Sequence, residues 1–318
     1  MSGSPVSLPV KENHVVGILW MLLTMSLFVS MDTVVKYLVQ SFSPFQIVWA
    51  RFFFHVFWLS LLLRKELFAA LLSNNLKLQL ARSACLVLTT CLFFNGLLTT
   101  ELSTATSIMF LSPIFVTLLA IPLLGERVGI RRMNGVLLGF VGALIIVNPQ
   151  SQPSVDVLLS ADETSSGLSW LPETGHLLLI AAAASNALYQ IMTRKLRAAD
   201  NPMTTLLYSA VVGVVAMSLW APVVWKTPDL TDWPLMMLVG FLGLISHFCL
   251  IRALHHAPAS VVVPFSYSAL LWAIVLSFMV FGDLPDGQTL FGAALIIASG
   301  LYIFYRETQG KQKDTQHQ

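Results

Sequence analysis

The sequence predicts an all-α integral membrane protein of ten transmembrane helices, arranged as two inverted five-helix repeats. Three observations lead there. Of the 318 residues, 56% are hydrophobic and only 11% are charged, whereas a soluble domain carries about 25% charged residues. Apolar runs recur from Val15 to Tyr305, each close to the roughly 20 residues that cross a bilayer as a helix. The second half also repeats the first at an offset of 157 to 158 positions. A β-barrel would show alternating segments of about ten residues, which a run such as Leu206 to Trp225 does not resemble.

The polar stretch 1–14 is a tail, and the run after it lacks a small-residue cleavage site, so it reads as a retained span rather than a signal peptide. The first span covers 15–39 and ends before Ser43-Pro44. It carries Asp32 and Lys36, four apart on one helical face in the acid-before-base order that favours pairing. They read as an ion pair or gate, with Lys36 reaching the outer surface. The second span, 45–63, ends at Arg64-Lys65 and carries Arg51, His55 and Trp58 on one stripe. At 1.5 Å per residue from Phe45, Arg51 lies about 9 Å in and His55 about 15 Å in. A guanidinium at that depth needs an anion, either Asp32 or an acidic group of a solute. His55 is either a packing histidine or a proton carrier for coupled transport.

The third span, 80–99, holds Cys85, Cys91 and a lone Asn95, and the fourth, 103–124, holds Ser112-Pro113. The fifth, 132–148, contains Gly135 and Gly139, a GxxxG that permits close helix approach within a monomer or across a homodimer. Residues 149–174 are rich in Ser, Pro and Asp, the composition of an external connector. The sixth span, 176–196, places Asn186, Tyr189, Gln190 and Thr193 on one polar face, which must look away from lipid. The seventh covers 203–225 and the eighth 234–253, with His247 a lone polar residue expected to bond between helices. The ninth, 258–282, carries Pro264, Ser266, Tyr267, Ser268 and Trp272. Proline with small polar residues allows broken backbone beside a cavity, here as in the fourth span. The tenth, 288–305, precedes a polar tail, 306–318.

Orientation follows from Lys and Arg in short loops. With the amino terminus inside, every one of the 18 basic residues except Lys36, Arg51 and Lys226 falls in an inner segment. Both termini are then cytoplasmic. The offset of 157 sets Gly125-Glu126 over Gly282-Asp283 and Gly135 over Gly292, and that of 158 sets Lys36 on Arg194. Five spans per half is odd, so the second repeat (175–305) is inserted upside down relative to the first (15–148). Inverted repeats recur in secondary transporters, with the solute site between them near the midplane.

The segments STATSIMFLSPIFVTLLAIPLLGERV, GVLLGFVGALIIV and SMDTVVKYLVQSFSPFQIVWARFFF resemble the EamA-type drug/metabolite transporter superfamily from about residue 15 to 305. The resemblance implies a ten-span carrier, since members export or import amino acids, nucleosides, riboflavin, S-adenosylmethionine and other metabolites. FGDLPDG stands where that pattern has Gly-Glu, and Ser209 stands where the first half has Arg51.

The expected function is secondary transport of a small metabolite, amino-acid, nucleoside or vitamin-like and anionic or zwitterionic, across a bacterial inner membrane. The expected solute contacts are Asp32, Arg51, His55, Asn95, Asn186, Tyr189, Gln190, Tyr267 and Trp272. An intramembrane enzyme is the first rival, but no HExxH, Gly-x-Ser-x-Gly or P-loop is present. A multi-subunit channel would show a filter-like motif, and none is evident. The cysteines have no metal-ligand spacing, and no basic patch suits nucleic acid. No cofactor is implied; the partners are the solute and membrane lipid.

Overall fold

The computed structural model describes residues 14–63, 73–124, 130–147, 174–196, 202–257 and 262–315. The tail before His14 and the connector predicted at 149–174 lie outside them, apart from Thr174, which opens a helix. Eleven α-helices and one 3₁₀ turn are described: α1 (His14–Leu38), α2 (Pro44–Leu63), α3 (Leu76–Gly96), α4 (Leu102–Met109), α5 (Ser112–Leu124) and α6 (Ile130–Val147) in the first half. The second half holds α7 (Thr174–Leu196), α8 (Pro202–Val224), α9 (Asp232–His256), the 3₁₀ turn Val263–Tyr267, α10 (Ser268–Phe281) and α11 (Gly287–Thr315). Six of these helices are long and apolar enough to cross a membrane by length and composition, and four shorter apolar stretches complete ten.

Two expected interruptions are present. In the fourth span the ladder between α4 and α5 gives way to tight turns, with Phe110 N–H donating to Ser107 and Leu111 N–H to Ile108. Pro113 follows in the first turn of α5, where it has no N–H to offer Met109. In the ninth span Pro264 opens the 3₁₀ turn before α10.

Two boundaries differ from the sequence reading. Helix α3 starts four residues earlier, because the Asn75 side chain accepts from Leu78 N–H at 3.3 Å and caps the helix. That puts Lys77 inside the helix and Arg82, counted with the inner basic residues although within the predicted span, almost two turns from its start. At the other end α11 runs ten residues beyond the apolar stretch. Its start is fixed by Asp286, whose Oδ1 accepts from Thr289 N–H at 2.7 Å.

The packing has the two-fold character of the sequence repeat. Helix α1 lies along α9 as its counterpart α7 lies along α3, and α6 packs against its own counterpart α11. The offset of 158 sets Gly17 on Gly175, and each sits where a helix pair touches. A Cβ on Gly17 would come 2.6 Å from Cβ of Ala257, and one on Gly175 2.6 Å from Oγ1 of Thr100. Backbones also approach closely between α6 and α11, where a Cβ on Gly142 would meet the Gly292 carbonyl oxygen at 2.7 Å. Gly139 of the GxxxG faces Ile114 and Ser299 of this same chain, so that residue packs helices within the protomer. Helices α2, α3, α8 and α9 fit together at the centre, α2 against α8 and α9, and α3 against α8. They form the frame of the site.

Candidate functional site

A narrow internal cavity, with room for about one water molecule, lies within that frame. Its walls are Arg51, Phe52 and His55 of α2, Leu86 of α3, Tyr189 of α7, Leu206, Ser209 and Ala210 of α8, and His247 of α9. Both repeats therefore contribute, as an inverted-repeat carrier requires.

Arg51, two turns into α2, is 8% exposed. Its Nη1 donates to Oγ1 of Thr90 at 3.1 Å, and its Cζ lies 5.6 Å from the Phe52 ring and 5.7 Å from the Phe94 ring. A guanidinium between two aromatic rings keeps its plane while its remaining donors stay available. Thr90 spends its own proton on Leu86 O at 2.9 Å, so it is free to accept from Arg51. One helical turn on, His55 is 5% exposed and its Nε2 has no hydrogen-bond partner. The ring lies 6.2 Å from that of His247, which stands edge-on to Phe28 at 5.1 Å. Gly243 leaves room beside both: a Cβ there would lie 3.7 Å from Arg51 Nε and 4.0 Å from His55 Nδ1.

Asp32 stands across from this group on α1, half-buried, and the charge that acts on it is Arg51. The pairing of Asp32 with Lys36 expected from their spacing does not form. Lys36 turns away, donates to Thr100 O at 3.1 Å, lies 3.6 Å from Asp283 Oδ2, and sits over the Phe281 ring. The reason is local: Gly282, at φ 76°, closes α10 in the left-handed conformation and turns the chain so that Asp283 meets the end of α1. The departure FGDLPDG thus supplies a helix cap, an inter-repeat ion pair and, at Asp286, the cap of α11. Glu101 stands at the same mouth, where burial and then the Asp283 carboxylate push its carboxyl above the usual range.

The other expected contacts divide. Tyr189 lines the cavity. Asn186 and Gln190 both donate to Oγ of Ser112 at 3.1 Å, tying α7 to the break in the fourth span. Asn95 donates to Cys91 O of its own helix at 2.7 Å. Tyr267 packs edge-on to Phe110 at 5.2 Å, joining the two irregular spans, and Trp272 is exposed on α10. None of these five lines the cavity.

The decisive comparison covers nearly all of this architecture. The sequence model of the EamA-like transporter family matches residues 15–148 and again 173–305. The chain belongs to the EamA-like transporter family. The two matches coincide with the two five-span repeats. An S-adenosylmethionine uptake transporter of Rickettsia bellii is 27% identical over 307 residues, covering 95% of this chain and 98% of that protein. A riboflavin transporter of Rhizobium johnstonii is 28% identical, with 96% and 97% covered. A pseudopaline exporter of Pseudomonas aeruginosa is 27% identical, with 89% and 94% covered. A solved crystal structure with 17% identity matches at TM-score 0.56 over 91% of this chain and 94% of its own, a likeness of fold alone. Family and relatives are transporters, not enzymes, and this EamA chain is a multi-pass membrane protein for a small-molecule solute.

Two residues at or beside the candidate site are placed differently from the sequence reading. His247 faces His55 across the cavity instead of bonding a neighbouring helix. Arg82, counted only as an inner-side basic residue, is 2% exposed inside α3 and makes four hydrogen bonds to α7 and α8. The signal for Arg82 was present: Gln79, Arg82, Ser83, Thr89 and Thr90 share a polar stripe, and Asn75 is a good capping residue ahead of it.

Proposed function

We propose that this protein is a secondary carrier that moves a small organic metabolite with an acidic or zwitterionic group across the bacterial inner membrane. It does so by alternating access between the two five-helix halves. The observation that carries the reading is Arg51, a buried guanidinium that donates to Thr90 and lines a narrow cavity between both repeats. Asp32 is the one acid within the predicted spans, and it stands opposite Arg51. A carboxylate of the solute replaces part of that charge balance and takes the planar fork of Arg51.

The cavity supports the alternating-access part. It is far smaller than the roughly 300 to 1,000 Å³ usual for small-molecule pockets and has no room for a metabolite in this conformation, as expected of a carrier closed between loadings. Opening to either side means moving α1 with α9 against α7 with α3, the pairs related by the repeat. The ion pair between Lys36 and Asp283 closes one end of that movement. His55 and His247 are placed to bind a coupling proton or to contact the solute directly. The relatives named for S-adenosylmethionine, riboflavin and pseudopaline set the scale of the solute, and two of the three named solutes carry carboxylates.

A thermal-shift screen of the purified protein tests the reading. The panel holds amino acids, nucleosides, vitamins and methylated cofactors, including S-adenosylmethionine and riboflavin. A ligand that binds the folded state alone adds about 2.7 kcal/mol at a hundred times its dissociation constant. A carboxylate-bearing member should raise the melting temperature, and its methyl ester should not. Shifts confined to neutral or purely cationic members would refute the anion preference. For topology, a thiol placed by Ser160→Cys should react with an impermeant reagent in intact cells, and one placed by Ser2→Cys should not.

A further inference from the structure

Arg82 is the largest fully buried side chain among the described residues. Its guanidinium is held entirely by neutral groups: Nε donates to Thr193 Oγ1 at 2.7 Å, Nη1 to Ser209 Oγ at 2.8 Å and Thr205 O at 3.1 Å, and Nη2 to Tyr189 Oη at 2.8 Å. The Tyr189 ring also covers its Cζ at 4.5 Å. No carboxylate is among these partners. A buried cation without a counter-charge is costly wherever it serves packing alone, so its retention needs a reason beyond the fold.

The repeat supplies a geometric reason. The offset of 158 sets Arg51 on Ser209, so the second half lacks an arginine at that place. Arg82 reaches across from α3 and sets a guanidinium on Ser209 itself. The position it leaves empty in the other half is Gly240, pressed against the backbone at His55. The first repeat thus brings two guanidiniums to the central frame, Arg51 from α2 and Arg82 from α3, and Arg82 is the one that reaches the second repeat. Because α2 and α3 run in opposite directions, the two lie in opposite leaflets, each about 10 Å from its own helix start. Between them stand Tyr189 and Ser209, which line the cavity on one side and accept from Arg82 on the other. A guanidinium only donates. Tyr189 therefore accepts from Arg82 and keeps its own phenolic proton, while Ser209 gives its proton to Thr205 O.

We infer that Arg82 is a second anion-binding residue of the transport path, the counterpart of Arg51 from the opposite leaflet, which takes the carboxylate of the solute when Tyr189 and Ser209 part from it. The inference rests on the carrier reading for the existence of a solute. In the enclosed state Arg82 acts through Tyr189, polarising its hydroxyl toward the cavity. In the state open to its own side, Arg82 offers the fork that Arg51 offers from the other.

The test reads the charge of the site and needs no knowledge of the solute. In the full chain with Cys85, Cys91 and Cys249 changed to alanine, Ser209→Cys puts a thiol beside Arg82. Its rates are measured with methanethiosulfonates bearing either a sulfonate or a trimethylammonium group, applied from each face of reconstituted vesicles. The control is Gln40→Cys, at an exposed turn two residues past the end of α1. At position 209 the sulfonate reagent should be favoured at least tenfold more than at position 40, and from one face only. Adding Arg82→Gln should remove that preference, and Arg82→Lys should keep most of it. Should Arg82→Gln fail to fold, the comparison of positions 209 and 40 with Arg82 intact still decides. A thiol unreactive from both faces, or a preference that Arg82→Gln leaves unchanged, would overturn the assignment. Neither result would touch the carrier reading, which is judged by flux.

Discussion

Replacing Arg51 by lysine keeps the positive charge between Phe52 and Phe94 and removes the planar fork. Lysine can still donate to Thr90, and it still offsets Asp32, so folding should change by less than about 1 kcal/mol, the usual scale for a substitution that keeps charge and burial. A carboxylate that bridged two guanidinium nitrogens then has one charge-assisted hydrogen bond fewer. Such a bond is worth about 1.5 to 3 kcal/mol, and each 1.4 kcal/mol is a factor of ten. The half-saturation concentration for the solute should rise roughly ten- to a hundredfold. Arg51→Gln should do the same and also destabilise the fold, because Lys36 is engaged by Asp283 and Asp32 loses the charge that acts on it. The assay is initial uptake into proteoliposomes against solute concentration, beside the melting temperature of each variant. Normal folding and unchanged half-saturation in Arg51→Lys would refute the assignment of Arg51 to the solute.

Three further outcomes follow from the geometry. Gly243→Ala should fold normally, since its Cβ meets Met31, Arg51 and His55 at ordinary distances, while the larger Gly243→Val should block transport by filling the cavity; normal flux in the valine variant would move the path elsewhere. Asp283→Lys should slow transport by setting two cations face to face, and the double change with Lys36→Asp should restore much of it; no rescue would mean that the pair does not act as a unit. Glu101→Gln should raise the melting temperature at neutral pH. The Glu101 carboxyl is pushed above its ordinary value of 4.5, so the folded state holds its proton longer and stability falls as pH rises from about 4.5 through the folded value. The glutamine variant should lose that slope, and an unaltered pH profile would contradict it.

Most of the fold was legible because the bilayer leaves few choices. Every backbone group inside it must be bonded internally, so apolar runs become helices, and prolines such as Pro113 and Pro264 mark where they break. That Arg51, His55 and Tyr189 meet at one internal cavity was legible for the same reason: they are polar where polarity is expensive. Partner choice was not. Asp32 and Lys36 have the spacing of a pair, yet the turn at Gly282 brings a second carboxylate from the other repeat, and tertiary contact outweighs a helical neighbour worth a few tenths of a kcal/mol. Asn186 and Gln190 shared a face with Tyr189, but the break before Ser112 offered their amides a hydroxyl outside the cavity. Arg82, three residues into the predicted span, was read as a basic residue of the inner edge. A basic residue near a span end is ordinarily a loop residue, and only the Asn75 cap moves it two turns inside.

The central claim is that the two repeats form a carrier with one alternating site. Counter-flow tests it most directly. Vesicles without ATP are loaded with a high concentration of the solute that the thermal screen identifies, then diluted into a trace of the labelled compound. The label should accumulate transiently above its external concentration and then decay, with saturable initial rates and loss of the overshoot in Gly243→Val. Linear entry without overshoot would contradict the account and indicate a channel.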